Sequence, residues 1–193
     1  MSDHGPAPSL TSQNELSLQQ VSGFLSNDFA IEDAGGRAVA TIHTTGSAAS
    51  RFVAGSRRFE VADPSGRVLF QVHDPMTFGR DRYRVTAPDG APLAELVQRR
   101  TFFATSVLVS VVDGTELRLE GDLIGHSYRL LAGGHTVAEV GRRWAGLGRA
   151  LLGRSRYAVS LDPAMPELVR FAVIGSVIAL DLIRAKASRR RSD

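Results

Sequence analysis

One pattern recurs five times between Phe29 and Gly141: an alternating apolar run, a short turn rich in Asp, Gly or Pro, then a second alternating run. The copies are FAIED-AGG-RAVATI, FEVAD-PSG-RVLFQV, YRVTA-PDG-APLAELV, VLVSVV-DG-TELRLEG and YRLLA-GG-HTVAEVG. Each reads as a β-hairpin, because glycine supplies the positive φ of a tight turn and period-2 alternation turns one side of every strand inward. RYAVSL at 156–161 adds a single strand, and the stretch from Leu16 to Val21 adds an early one, for about a dozen in all. Phe29, Phe59, Tyr83 and Tyr128 open four of the copies and Tyr157 opens the last strand, so an aromatic is expected to anchor each to the core. Asp33, Asp63, Asp89 and Asp113 sit beside glycines in the turns, where Asp bonds its own backbone; turn chemistry accounts for them without a carboxylate site.

That many antiparallel strands must close into a barrel or split into a sandwich, since open edges invite aggregation. The spacing between copies varies, unlike the fixed period of a propeller or solenoid. A barrel of this size has a wide lumen that something apolar must fill. The C-terminal run 166–184, PELVRFAVIGSVIALDLIR, is the available filler. Pro166 and Glu167 suit the first turn of a helix and the closing arginine suits the last. Leu168, Val169, Phe171, Val173, Ile174, Val177, Ile178, Leu180, Leu182 and Ile183 leave no wide polar face, so the helix belongs in lipid or inside protein. Its near-spanning length and the basic tail after it fit a membrane anchor. Against that, Arg170 and Asp181 each cost about 2.5 to 3.5 kcal/mol at a bilayer centre, less near an interface. With an open lumen to fill, burial inside the domain is the favoured reading, with Leu168, Phe171, Val173, Ile174, Val177, Ile178, Leu180 and Leu182 as its core-facing residues.

A chain of 193 residues with 43% hydrophobic content buries an ample core in one domain. Residues 1–14 are polar and proline-bearing and are expected to be a disordered leader, 15–186 the β-domain, and 187–193 a disordered basic tail. There is no cysteine, which excludes disulfides and thiol chemistry and favours a cytoplasmic location. The five histidines have no metal-ligand spacing, and no cofactor motif is present. Residues 184–193 hold Arg184, Lys186, Arg189, Arg190 and Arg191 against Asp193, a net +4 within a chain total of +3. The body is therefore near neutral, which argues against a nucleic-acid partner.

The order of elements, with hairpins on Asp/Gly turns, a tryptophan-bearing segment (Gly141 to Trp144), RYAVSLDP and then VIGSVIALDLI, resembles the LURP-one-related and phospholipid scramblase families. The resemblance covers roughly 16–186 and is sharpest in Tyr157 to Asp162 and Ile174 to Ile183; DPMTFGRDRYRV at 74–85 resembles the family's mid-barrel strand pair. It implies a tubby-like fold, a closed barrel of about twelve strands around one central apolar helix, and association with membrane lipids. The sequence departs from those relatives in two ways. Scramblases carry a carboxylate-rich loop before the helix, proposed to bind Ca²⁺, whereas Ser160 to Glu167 offers Asp162 and Glu167 against the six or more oxygens a hard cation wants. Tubby domains hold phosphoinositide head groups in a lysine-and-arginine pocket, which a chain with one lysine cannot copy residue for residue.

Two motif-like stretches lead nowhere. Gly148 to Ser155 approaches a phosphate-binding loop but has arginine in place of the lysine and leads into a strand instead of a helix. Gly125-His126-Ser127-Tyr128 lacks the second glycine of a nucleophile elbow and reads as a strand start. Two arginine groups remain as candidate lipid or anion contacts: Arg80, Arg82, Arg84, Arg99 and Arg100 on one hairpin, and Arg142, Arg143, Arg149, Arg154 and Arg156 around Trp144. Guanidinium groups fork onto phosphates, an indole suits a membrane interface, and Arg189, Arg190 and Arg191 add about 1 kcal/mol each near an anionic leaflet. The sequence thus favours a non-enzymatic barrel peripheral to an anionic membrane surface at its inner face. The alternative is a soluble module that binds another protein.

Overall fold

In the computed structural model, residues 9–19, 28–45, 57–75, 82–100, 105–122, 127–141 and 156–189 are described. Twelve strands follow one another: β1 (Glu15–Gln19), β2 (Asp28–Asp33), β3 (Ala38–Thr45), β4 (Arg57–Ala62), β5 (Val68–Asp74), β6 (Arg82–Thr86), β7 (Pro92–Arg100), β8 (Thr105–Val111), β9 (Glu116–Asp122), β10 (Ser127–Ala132), β11 (His135–Gly141) and β12 (Arg156–Leu161). Each pairs antiparallel with its neighbours in sequence, and β1 pairs with β12 to close the barrel. All five hairpins form, joined by the tight turns that their glycines and aspartates specify. At the first two turns one module repeats. Asp33 Oδ1 accepts from the N–H groups of Gly35 and Arg37 at 2.8 and 2.9 Å while Oδ2 takes the Arg37 side chain. Asp63 does the same with Ser65 and Arg67, and Gly66 adopts φ +86° to let the chain return. The Arg37 backbone N–H, more than any other contact, holds the Asp33 carboxyl below its ordinary value against the opposing effect of burial.

The single strand-to-strand pairing between chain ends, Leu16 with Val159 and Leu18 with Tyr157, completes the hydrogen-bond circuit and leaves no open edge. Phe29, Phe59, Tyr83, Tyr128 and Tyr157 are all buried, as their place at the head of each copy predicts.

Helix α1 (Glu167–Arg189) runs through the lumen. Every side chain from Ala172 to Ile183 is buried, and the helix packs closest on β5, β6, β7 and β8. Of the residues expected in its core, Val173, Ile174, Val177, Ile178, Leu180 and Leu182 are buried, whereas Leu168 and Phe171, in the first turns, are half-buried at the barrel mouth. Phe171 lies with its ring centroid 5.3 Å from that of Phe70. The helix begins one residue after Pro166 and continues past Arg184, because residues 185–189 contain neither glycine nor proline to stop it.

Both charged residues that interrupt the apolar run, Arg170 and Asp181, find partners inside the protein. Arg170, 3% exposed, donates to Gln13 O and to Asn14 Oδ1. Arg184 donates to Asp181 Oδ1 at 3.2 Å. Residues 9–14 therefore differ from the leader read in the sequence: they form a turn that buries Leu10 at 1% exposure and lays carbonyl and amide oxygens over Arg170. Among the described residues no helix is long and apolar enough to cross a membrane.

Gly175 is the point of closest approach between helix and wall. A Cβ there would lie 2.7 and 2.9 Å from the two methyl groups of the buried Val85 on β6. Gly175→Ala gains up to about 1 kcal/mol of helix propensity but forces a stiff β-branched side chain out of its place, at about 1 to 3 kcal/mol. Urea unfolding is expected to show Gly175→Ala destabilising in the native background and neutral or stabilising once Val85→Ala removes the obstacle. Additive effects of the two substitutions would contradict this packing.

Candidate functional site: a basic rim

Chain direction sorts the residues onto two rims. The five tight turns lie at one rim; even-numbered strands begin, and odd-numbered strands end, at the other. α1 starts at the turn rim, where Arg170 meets Gln13 and Asn14, and leaves at the opposite rim, where Asp181 influences Tyr128 and Tyr157, each the second residue of its strand. The turn rim carries Asp33, Asp63, Asp89, Asp113 and Asp162, with Glu116 and Glu167 beside them and with Arg37 and Arg67 paired to the first two. The rim where the helix leaves carries Arg57 and Arg58 at the start of β4, Arg82 at the start of β6, Arg99 and Arg100 at the end of β7, and Arg156 at the start of β12. Asp28, Asp74 and Asp122 are the carboxylates at the corresponding strand ends.

Strand order gathers most of this charge on one arc. Arg82, Arg84, Arg99 and Arg100, read from the sequence as one group, lie on the paired strands β6 and β7. Arg156 shares the rim on the far side of the barrel, and Arg189 is the last residue of α1. Arg80, Arg142, Arg143, Trp144, Arg149, Arg154, Arg190 and Arg191 lie outside the described residues.

Register adds two residues that sequence reading overlooked. Across the outer face, Arg58 on β4 stands opposite His73 on β5, which stands opposite Arg84 on β6, which stands opposite Glu95 on β7. Arg58 and Arg84 are exposed and His73 is half-buried between them. His73 Nε2 lies 3.0 Å from Thr86 Oγ1. Desolvation, followed by the charges of Arg58 and Arg84, lowers the His73 pKa from its ordinary 6.5. Arg82 is paired with Glu95 at 3.4 Å, both exposed, a contact that contributes little in water. No spacing in the sequence joins residues 58, 73 and 84; only knowledge of which residues face each other across β4, β5 and β6 does.

The opposite wall has the other sign. A groove of about 410 Å³ crosses β9, β10, β11, β12 and β1, lined by Glu15, Glu120 and Glu139 together with Gly121, Gly141 and Ala158. Arg129 Nη2 stands 3.8 Å from Glu120, and Ser160 donates to Glu15. Inside the barrel, burial and then the Asp181 charge push the Tyr128 and Tyr157 phenols far up, so both stay protonated at neutral pH and neither is an activated base. Among the described residues no cluster of His, Asp or Glu is arranged to hold a metal ion.

A closed meander of twelve strands around a central C-terminal helix is the tubby-like barrel. Residues 14–181 match the LURP-one-related family model, and the chain belongs to that family. The X-ray structure of a protein from Arabidopsis thaliana is similar over 89% of this chain and 93% of that one, with a TM-score of 0.55 and 16% identity, a likeness of fold. Comparison with curated proteins finds no match.

His73 should titrate below 6.5 when followed by NMR, and Arg84→Gln should move its midpoint upward. The unfolded chain binds the proton more readily than the native one, so between the native midpoint and 6.5 this residue makes stability rise with pH. A midpoint indifferent to Arg84→Gln would show that the two side chains do not interact.

Proposed function

We propose that this protein is a non-enzymatic barrel that associates with anionic lipid surfaces through its basic rim. The observation that carries this reading is an uneven distribution of charge: carboxylates outnumber arginines at the turn rim, where Arg37 and Arg67 pair with Asp33 and Asp63, and arginines outnumber carboxylates at the strand ends where the helix leaves, most of them on the arc of β4, β6 and β7. An anionic leaflet attracts such a rim by about 1 kcal/mol per basic residue close to it, an attraction that falls off within a Debye length. The helix is occupied in the core, so the contact is peripheral, and the arginines after residue 186 extend the same charge in sequence.

The carboxylate-lined groove favours a second reading, a module whose partner is a protein segment rich in arginine or lysine. Pull-down of such a partner without any lipid retention is the outcome that distinguishes it.

Co-sedimentation with phosphatidylcholine vesicles, with and without phosphatidylserine, tests the first reading. Retention is expected on the anionic vesicles, decreasing as salt rises. Arg57→Gln, Arg99→Gln and Arg100→Gln combined should weaken it by on the order of a hundredfold, and removal of residues 187–193 should weaken it as well. Equal retention on neutral and anionic vesicles, or none on either, would count decisively against a lipid role.

A further inference from the structure

Arg58, His73 and Arg84 occupy directly opposed positions on three adjacent strands, an arrangement that destabilises a sheet when like charges face each other with nothing negative between. Two carboxylates lie nearby, each in contact with another residue. Glu95, next in the row, takes Arg82, and Glu60 accepts from Gln71 Nε2 at 3.1 Å. Among the described residues neither Arg58 nor Arg84 has a carboxylate within ion-pair distance. The two arginines stand two strand spacings apart, about 10 Å between Cα atoms, with the imidazole between them. Long guanidinium side chains converge readily over that span, and each can fork onto two oxygens of one ligand.

We propose that Arg58, His73 and Arg84 form one binding site for a tetrahedral oxyanion of the phosphate class, and that His73 enters it protonated. The proposal deepens the lipid reading and rests on it for one source of the ligand, a lipid phosphate head group; free phosphate is the other source with the same chemistry. Thr86 holds His73 Nε2, leaving Nδ1 as the nitrogen for a ligand. The charged groups facing the imidazole are Arg58 and Glu60 from β4 and Arg84 from β6. Glu60 keeps its charge but is held toward Gln71, and burial first, then the charges of Arg58 and Arg84, disfavour the imidazolium while the site is empty. An anion seated between the two arginines cancels their field. Proton uptake and anion binding therefore strengthen each other by the same factor, and the site tightens as pH falls.

The test uses the full chain and inorganic sulfate, whose charge is constant over the relevant pH range, with His73 followed by NMR. Saturating sulfate is expected to raise the His73 midpoint by about one pH unit, equivalent to about tenfold tighter binding by the protonated form. Arg58→Gln and Arg84→Gln should each weaken sulfate binding and shrink the rise, while His73→Gln should retain binding and lose its pH dependence. An unmoved His73, or a rise that persists in both arginine variants, overturns the site. Vesicles of phosphatidylcholine with phosphatidic acid identify the source. Retention that sulfate competes away and that Arg84→Gln abolishes supports the site with a lipid head group as its ligand. A sulfate-dependent rise without vesicle retention supports the site with free phosphate as its ligand and overturns the lipid reading. Retention unchanged in both arginine variants, with His73 indifferent to sulfate, overturns the site and leaves the lipid reading standing.

Discussion

A barrel of twelve strands turns an apolar residue inward at every second position, and those inner faces cannot meet one another across so wide a lumen. Helix α1 supplies the surface they pack on, with an unbroken buried stretch from Ala172 to Ile183. Wall and helix therefore depend on each other: without the helix the inner faces of the strands lose their partner, and without the wall the helix would be an exposed apolar rod. The close approach of Gly175 to Val85 sets how near the two come. Arg170 at one mouth fixes how deep the helix sits, because its partners Gln13 and Asn14 lie outside the helix and meet its guanidinium at one position along the axis.

Charge segregation follows from the same architecture. Tight hairpin turns use aspartate to satisfy backbone N–H groups, and in a meander all of them fall at one rim, so that rim becomes acidic through its turn chemistry. The strand ends at the opposite rim carry no such requirement, and there arginines accumulate. Folding and function thus draw on different ends of the same strands. The membrane role that we infer rests on the rim arginines, since the one long apolar segment is committed to the core.

Much of the fold was legible from residue order. Period-2 alternation and Asp/Gly turns located ten strands, RYAVSL and the early leucines located the closing pair, and a helix with no polar face required an enclosure. Leu10 was not legible, because one leucine in a polar stretch gives no periodicity; its burial reflects an open barrel mouth and an arginine needing acceptors. The end of the helix was set too early, at Arg184, because an arginine suits a last turn, although residues 185–189 hold nothing that breaks a helix. For the site, Arg82, Arg84, Arg99 and Arg100 were recognisable as a group because a single hairpin holds them. Arg58 and His73 were not, since a cross-strand row is a property of register, and two bulges, one at Val61/Ala62 and one at Val85/Thr86, shift that register within the strands concerned.

The fold depends on the helix being enclosed by the barrel in the native state. The chain has no cysteine, so a single one placed at Ala179, fully buried midway along α1, reports directly on that enclosure. With a thiol-reactive probe, Ala179→Cys should label no faster than the protein unfolds, with or without lipid vesicles, while Val112→Cys, at a position 58% exposed, should label at once. Labelling of Ala179→Cys at a rate close to that of Val112→Cys in the native protein, or protection that arises only when vesicles are added, would contradict that enclosure.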